Sequence, residues 1–220
     1  TKATVHNVVA GDSTGVNMVG SGDYLDSSST VTVLGSITVG NGNGVEVNAK
    51  NGKVVVGGNI TAGRIGVDVW SNPGTQVTVN GDITVDGDSS IAGVWAYGAT
   101  TVAVTGDVTV RGTNCVGVHA SGSTIKVDGN VASSGKGAHS DTNGKVEITG
   151  SLTAGTPFIV VGTTEMTADQ GTKIGEIITY TYDGNTVQIG SVGVPAPIYT
   201  ITMQNDGHGT GSASPSSAEA

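Results

Sequence analysis

The stretch "VTVNGDITV" (77–85) decides the fold. Val77 and Val79 are spaced by two, a Gly-containing turn follows, and Ile83 and Val85 repeat the spacing. The same pattern returns in "VTVLGSITV" (31–39), "VVVGGNITA" (54–62), "VAVTGDVTV" (102–110), "IKVDGNVAS" (125–133) and "VEITGSLTA" (146–154). The first aliphatic residue after each turn is Ile37, Ile60, Ile83, Val108, Val131 and Leu152, at spacings of 23, 23, 25, 23 and 21. A third element follows each copy: "GVEV" (44–47), "GVDV" (66–69), "GVWA" (93–96), "GVHA" (117–120), "GAHS" (137–140) and "PFIV" (157–160). "NVVA" (7–10) and "GVNM" (15–18) form an earlier, less regular copy.

Alternation at period two places residues i and i+2 on one face of a strand. Each repeat therefore holds three short strands, none long enough to bury its apolar face alone. Stacking the repeats buries those faces in continuous columns, which is the logic of a β-solenoid. The expected inward columns are Val31/Val33 through Val146/Ile148, Ile37/Val39 through Ile83/Val85, and Val45/Val47 through Ala138/Ser140. Composition agrees. Thirty-seven Gly, abundant Val and Thr, and 12% charged residues suit frequent turns and pleated strands and disfavour helices.

The period and the three-strand unit resemble the right-handed parallel β-helix of bacterial adhesins and pectate-lyase-like proteins over about residues 5–162. The resemblance implies an all-β, single-stranded, right-handed parallel β-helix with three short strands per coil and about six to seven coils. It specifies architecture and leaves activity open. Residues 1–162 are read as the helix and 163–192 as a cap, in which "EIITYTYDGNTVQIG" (176–190) forms a hairpin around Asp183-Gly184-Asn185. Residues 193–220 are read as a poorly ordered linker and truncated module. "YTIT" (199–202) and "DGHGTGSASP" (206–215) resemble the start of an internalin B-type repeat of Gram-positive surface proteins. The chain opens at "TKATVHNVV" with no visible signal peptide, so a monomeric fragment of a longer extracellular, cell-surface protein is expected.

The net charge of −9, with nine Lys and Arg, argues against nucleic acid and anionic membrane as partners. No apolar run approaches the length of a membrane span. The single Cys115 is read as a free thiol in a turn, with no neighbouring base evident to make it a nucleophile.

Two polar rows follow the repeat. Ser36, Asn59, Asp82, Asp107, Asn130 and Ser151 each follow the turn Gly. Adjacent Asp residues could mark a metal row, but a turn ladder bonded to local backbone is the preferred reading. Thr38, Thr61, Thr84, Thr109 and Thr153 form an outward row. One Thr per coil, interrupted at Ala132, fits a stacking ladder better than an ice-binding face.

The third strand carries the candidate site. Its outward positions run Asn17, Glu46, Asp68, Trp95, His119, His139 and Ile159, and two residues further Asn48, Trp70, Tyr97, Ser121 and Asp141. Coils about 4.7–4.9 Å apart would gather Asp68, Trp70, Trp95, Tyr97, His119 and His139 into one patch. The longer turns "DGDSSIAG" (86–93) and "RGTNCVG" (111–117) are expected to bulge beside it as a shallow groove. Three readings stay open: aromatics that decorate the sheet or lie under loops, a carbohydrate-binding groove for a polysaccharide or surface glycan, and a catalytic or metal site. Glu46 and Asp68 would be the carboxyl pair of a polysaccharide lyase or glycosidase, but nothing in the sequence places them across a cleft. A His119/His139 pair alone makes a weak metal site. The reading adopted is a non-catalytic binding or display module with no catalytic residue, metal or cofactor.

Overall fold

The computed structural model describes residues 2–19, 29–70, 73–89 and 91–192. The reading of 193–220 as a linker and B-type repeat lies outside these residues. The chain is a parallel β-solenoid whose regular part makes about five turns, with strands in three parallel stacks. The first stack runs from Lys2–Val5 through Thr30–Val33, Lys53–Val56, Gln76–Val79, Thr101–Val104 and Thr124–Val127 to the front of Lys145–Ala154. The second begins at Val8–Ala10 and Ile37–Val39 and ends on the rear of Lys145–Ala154. The third runs from Val16–Val19 through Val45–Asn48, Ile65–Val69, Ala92–Tyr97, Val116–Ser121 and Lys136–Asp141 to Ile159–Val161. The strand Lys2–Val5 extends the earliest copy beyond what the sequence pattern reveals.

The columns hold. Ile37, Ile60, Ile83, Val108, Val131 and Leu152 pair in register from coil to coil. Ile37, Ile60, Ile83, Val108 and Leu152 have no exposed surface. Burying each such aliphatic side chain contributes about 1.5–3 kcal/mol relative to leaving it in water. Near the start of the third-stack strands, the residue that meets the core must be Gly. A Cβ on Gly66 would lie 2.3 Å from Ile83 Cγ2 and 2.5 Å from the Gly93 carbonyl oxygen.

The polar row is a ladder between coils rather than a set of local turn bonds. Asn59 Oδ1 accepts from the backbone N–H of Asp82 at 2.9 Å, and Asp82 Oδ1 from that of Asp107 at 2.9 Å. Asp107 Oδ1 accepts from Asn130 at 2.7 Å, and Asn130 Oδ1 from Ser151 at 2.9 Å. Asn7 and Ser36 begin the same series. Each side chain leans over the Gly of the next coil. A Cβ on Gly106 would sit 2.2 Å from Asp82 Oδ1 and 2.7 Å from the Gly81 carbonyl. The recurring Gly-Asn, Gly-Asp and Gly-Ser pairs are thus one device: the polar residue satisfies the next coil's backbone, and the Gly leaves room for its predecessor.

The C-terminal hairpin continues the stack. Asn185–Val192 pairs in parallel with Lys145–Ala154, so Val187 and Ile189 extend the columns of Val146 and Ile148. Ile177–Tyr182 then folds back antiparallel through Asp183 and Gly184, whose φ values of +46° and +76° match a two-residue primed turn. Tyr180, 1% exposed, closes the end of the core, and its hydroxyl donates to the Ala168 carbonyl at 2.8 Å.

Gly106→Ala is expected to destabilise the protein by about 1–3 kcal/mol through overpacking. Asp82→Ala, which deletes one exposed acceptor, should cost about 0.5–1.5 kcal/mol. Urea unfolding midpoints of the two variants check the order.

Candidate functional site

The third stack fixes which outward side chains meet. Asn17, Glu46, Asp68, Trp95, His119 and His139 are successive register partners, and Tyr97, Ser121 and Asp141 form the next column. Past His139 the expected row shifts by one. Val160 is the partner of His139, while Ile159 pairs with Ala138, faces inward and is fully buried.

The rings stack on one another. Trp70 and Tyr97 have centroids 5.4 Å apart at 18° between planes, Tyr97 and Trp95 5.6 Å at 28°, and Trp95 and His119 5.6 Å at 30°. His119 and His139 are closest, at 4.0 Å and 11°. Five of the six candidate residues therefore form one continuous row. Because the planes are stacked in series, the inner rings spend their faces on their neighbours. Trp70 is 45% exposed and offers the largest free aromatic surface of the row.

Asp68 stands apart from this row. It is 4% exposed, and its Oδ2 accepts from Asn43 Nδ2 at 3.4 Å. The same amide donates to Glu46 Oε2 at 3.2 Å, which also accepts from Thr14 Oγ1 at 3.3 Å. Burial, and then the Glu46 carboxylate, push the Asp68 carboxyl up to about 6, against opposing pulls from the Trp70 indole and Arg64. Asn43 was legible only in part: it precedes the Gly of "GVEV", but nothing in the pattern turns its amide toward two carboxyls.

At the other end, Asp141 joins the two histidines. His119 Nε2 lies 2.9 Å from Asp141 Oδ2, and His139 Nε2 lies 3.5 Å from the same oxygen. Thr142 Oγ1 donates to Asp141 Oδ1 at 3.0 Å. Burial holds both imidazoles below the usual histidine range. His139, also facing His119, falls to about 4. Asp141 lies below the usual carboxylate range: burial works against this, and hydrogen bonds from Ser121, His119 and Thr142 outweigh it. Alternation places Asp141 on this face, but nothing in the sequence pattern brings it onto both rings.

The described residues of the long turns are strand for most of their length. They lengthen the second-stack strands to Ile83–Ser89 and Val108–Thr113, which pair through a bulge, and Ile91 tucks into the core. A pocket at that corner is lined by Asn114, Cys115, Ser134 and Lys136, with none of the stacked rings in its wall. Cys115 is a free thiol, as expected, but it is buried, and its sulfur accepts from the backbone N–H of Gly135 at 3.1 Å. Asp82 and Asp107 are committed to the backbone ladder. No helix among the described residues is long and apolar enough to cross a membrane.

No family model, curated protein or solved structure matches the chain.

Asp68 supplies a pH test. Its folded value is raised above the ordinary 3.8, so its contribution to stability is complete below about 3.8 and lost as pH rises through about 6. The groups around it are Glu46, Arg64, Asn43, Trp70 and Tyr97. Asp68→Asn should therefore gain on the parent protein by about 1–3 kcal/mol as pH rises across that window, relative to their difference at low pH. The difference between the two urea stability curves isolates this effect from the histidines.

Proposed function

We propose that this protein is a non-catalytic module of an extracellular bacterial cell-surface protein that presents its ring row to a glycan. The observation that carries the reading is the continuous row from Trp70 to His139, ending in a half-exposed indole. Sugar rings lay their C–H faces on aromatic surface, and Trp70 provides it. Ser121, Asp141 and Thr142 flank the row with groups that can bond hydroxyls. An open face one coil high per residue suits an extended polymer laid along the solenoid. The net charge of −9 favours a neutral glycan over an acidic one. The cell-surface setting rests on the resemblance of the repeat to adhesin β-helices and of 198–220 to the start of a B-type repeat.

One observation favours a second reading, a polysaccharide-active enzyme. A carboxyl raised to about 6 beside another carboxyl is the form a general acid takes. Against this, Asp68 is buried and shares the Asn43 amide with Glu46 rather than facing a cleft.

A panel of neutral polysaccharides titrated against the protein should yield a binder whose affinity drops about tenfold or more in Trp70→Ala, roughly 1.4 kcal/mol, with unchanged circular dichroism. Binding that is indifferent to Trp70→Ala would refute the site. Polysaccharide turnover abolished by Glu46→Gln and Asp68→Asn would replace this reading with the enzyme.

A further inference from the structure

The His119, His139 and Asp141 cluster, at the end of the ring row, has a chemistry of its own. Their donor atoms all lie within 4.8 Å of one another. A tetrahedral Zn²⁺ holds nitrogen and oxygen ligands at about 2.0–2.2 Å, which sets ligand atoms roughly 3.3–3.5 Å apart. The observed separations to Asp141 Oδ2, 2.9 Å and 3.5 Å, bracket that spacing.

Three further features point the same way. Asp141 is oriented: Thr142 occupies Oδ1 and leaves Oδ2 turned toward both imidazoles, the arrangement that outer-shell hydrogen bonds impose on metal ligands. His139 Nε2 is poorly satisfied, since its nearest acceptors are Asp141 Oδ2 at 3.5 Å and the Gly162 carbonyl at 3.4 Å, both beyond ordinary hydrogen-bond length. The cluster is also built on rigid elements. The two histidines are register partners on adjacent strands, and Ser121 and Asp141 pair immediately beyond them.

We propose that His119, His139 and Asp141 form a binding site for a first-row divalent metal, with Zn²⁺ as its occupant. Two imidazoles and one carboxylate suit Zn²⁺, Co²⁺, Ni²⁺ or Cu²⁺, and not the all-oxygen preference of Ca²⁺ or Mg²⁺. Both imidazoles ligate through Nε2 and Asp141 through Oδ2. The Gly162 carbonyl or a water completes the shell. The ion sits at the end of the ring row, one ring away from Trp95, which stacks on His119.

The test uses the full chain without an affinity tag, titrated with ZnCl₂ by calorimetry and with Co²⁺ by visible absorption. One Zn²⁺ per chain and the intense d–d band of a tetrahedral Co²⁺ site are expected. His139→Gln and Asp141→Asn should each weaken Zn²⁺ binding at least tenfold, while His6→Gln leaves it unchanged. Cu²⁺ should quench Trp fluorescence in the parent chain and not in His139→Gln. Circular dichroism confirms that each variant folds. His139→Gln is chosen because it keeps the bulk beside His119. Zn²⁺ affinity that is unaltered by both site substitutions, or the absence of any Co²⁺ band, would overturn the proposal.

Discussion

The spacing of one coil on the next governs this protein. Parallel strands hydrogen-bond at about 4.7–4.9 Å, so every side chain's nearest neighbour outside its own strand is its equivalent one repeat away. Columns follow from that constraint. Inward, Ile37, Ile60 and Ile83 fill one line of the core. At the turns, Asn59, Asp82 and Asp107 each reach the backbone of the following coil and force Gly beneath them. Outward, aromatic residues one coil apart sit at stacking distance, so Trp95, His119 and His139 pile face to face. Core, ladder and ring row share this geometry, with Trp95 and Tyr97, two apart on one strand, joining neighbouring columns of the row.

The inward half of this geometry is legible in the sequence because two signals coincide, period-two alternation and a Gly-polar pair at fixed offset. Where one signal drops out, register is lost. In "PFIV" (157–160) the Gly that precedes the other third strands is missing, and the alternation alone does not distinguish Ile159 from Val160 as the outward residue. The long turns at 86–93 and 111–117 looked like loops because their composition is turn-like. They extend strands instead, since backbone pairing to the equivalent segment of the neighbouring coil satisfies them through a bulge.

The site was half legible for a related reason. Alternation tells which side of the sheet a residue faces, and it gathered Trp70, Trp95, Tyr97, His119 and His139 correctly. It carries no information on side-chain torsions. It therefore could not tell that the ring faces would be consumed by stacking, that Asp68 would turn toward Asn43 and become buried, or that Asp141 would close on both imidazoles. These outcomes divide one apparent patch into an acidic end at Glu46 and Asp68, an aromatic middle, and a His-Asp end.

The central claim is that coil-to-coil register builds the ring row, and nuclear Overhauser contacts between ring protons test it most directly. In the isotope-labelled protein, the imidazole protons of His119 should show cross-peaks both to those of His139 and to the indole of Trp95, while Tyr97 links Trp95 to Trp70. Cross-peaks between His119 and His139 that are missing, or rings that instead contact residues two coils away, would contradict the register and with it the site.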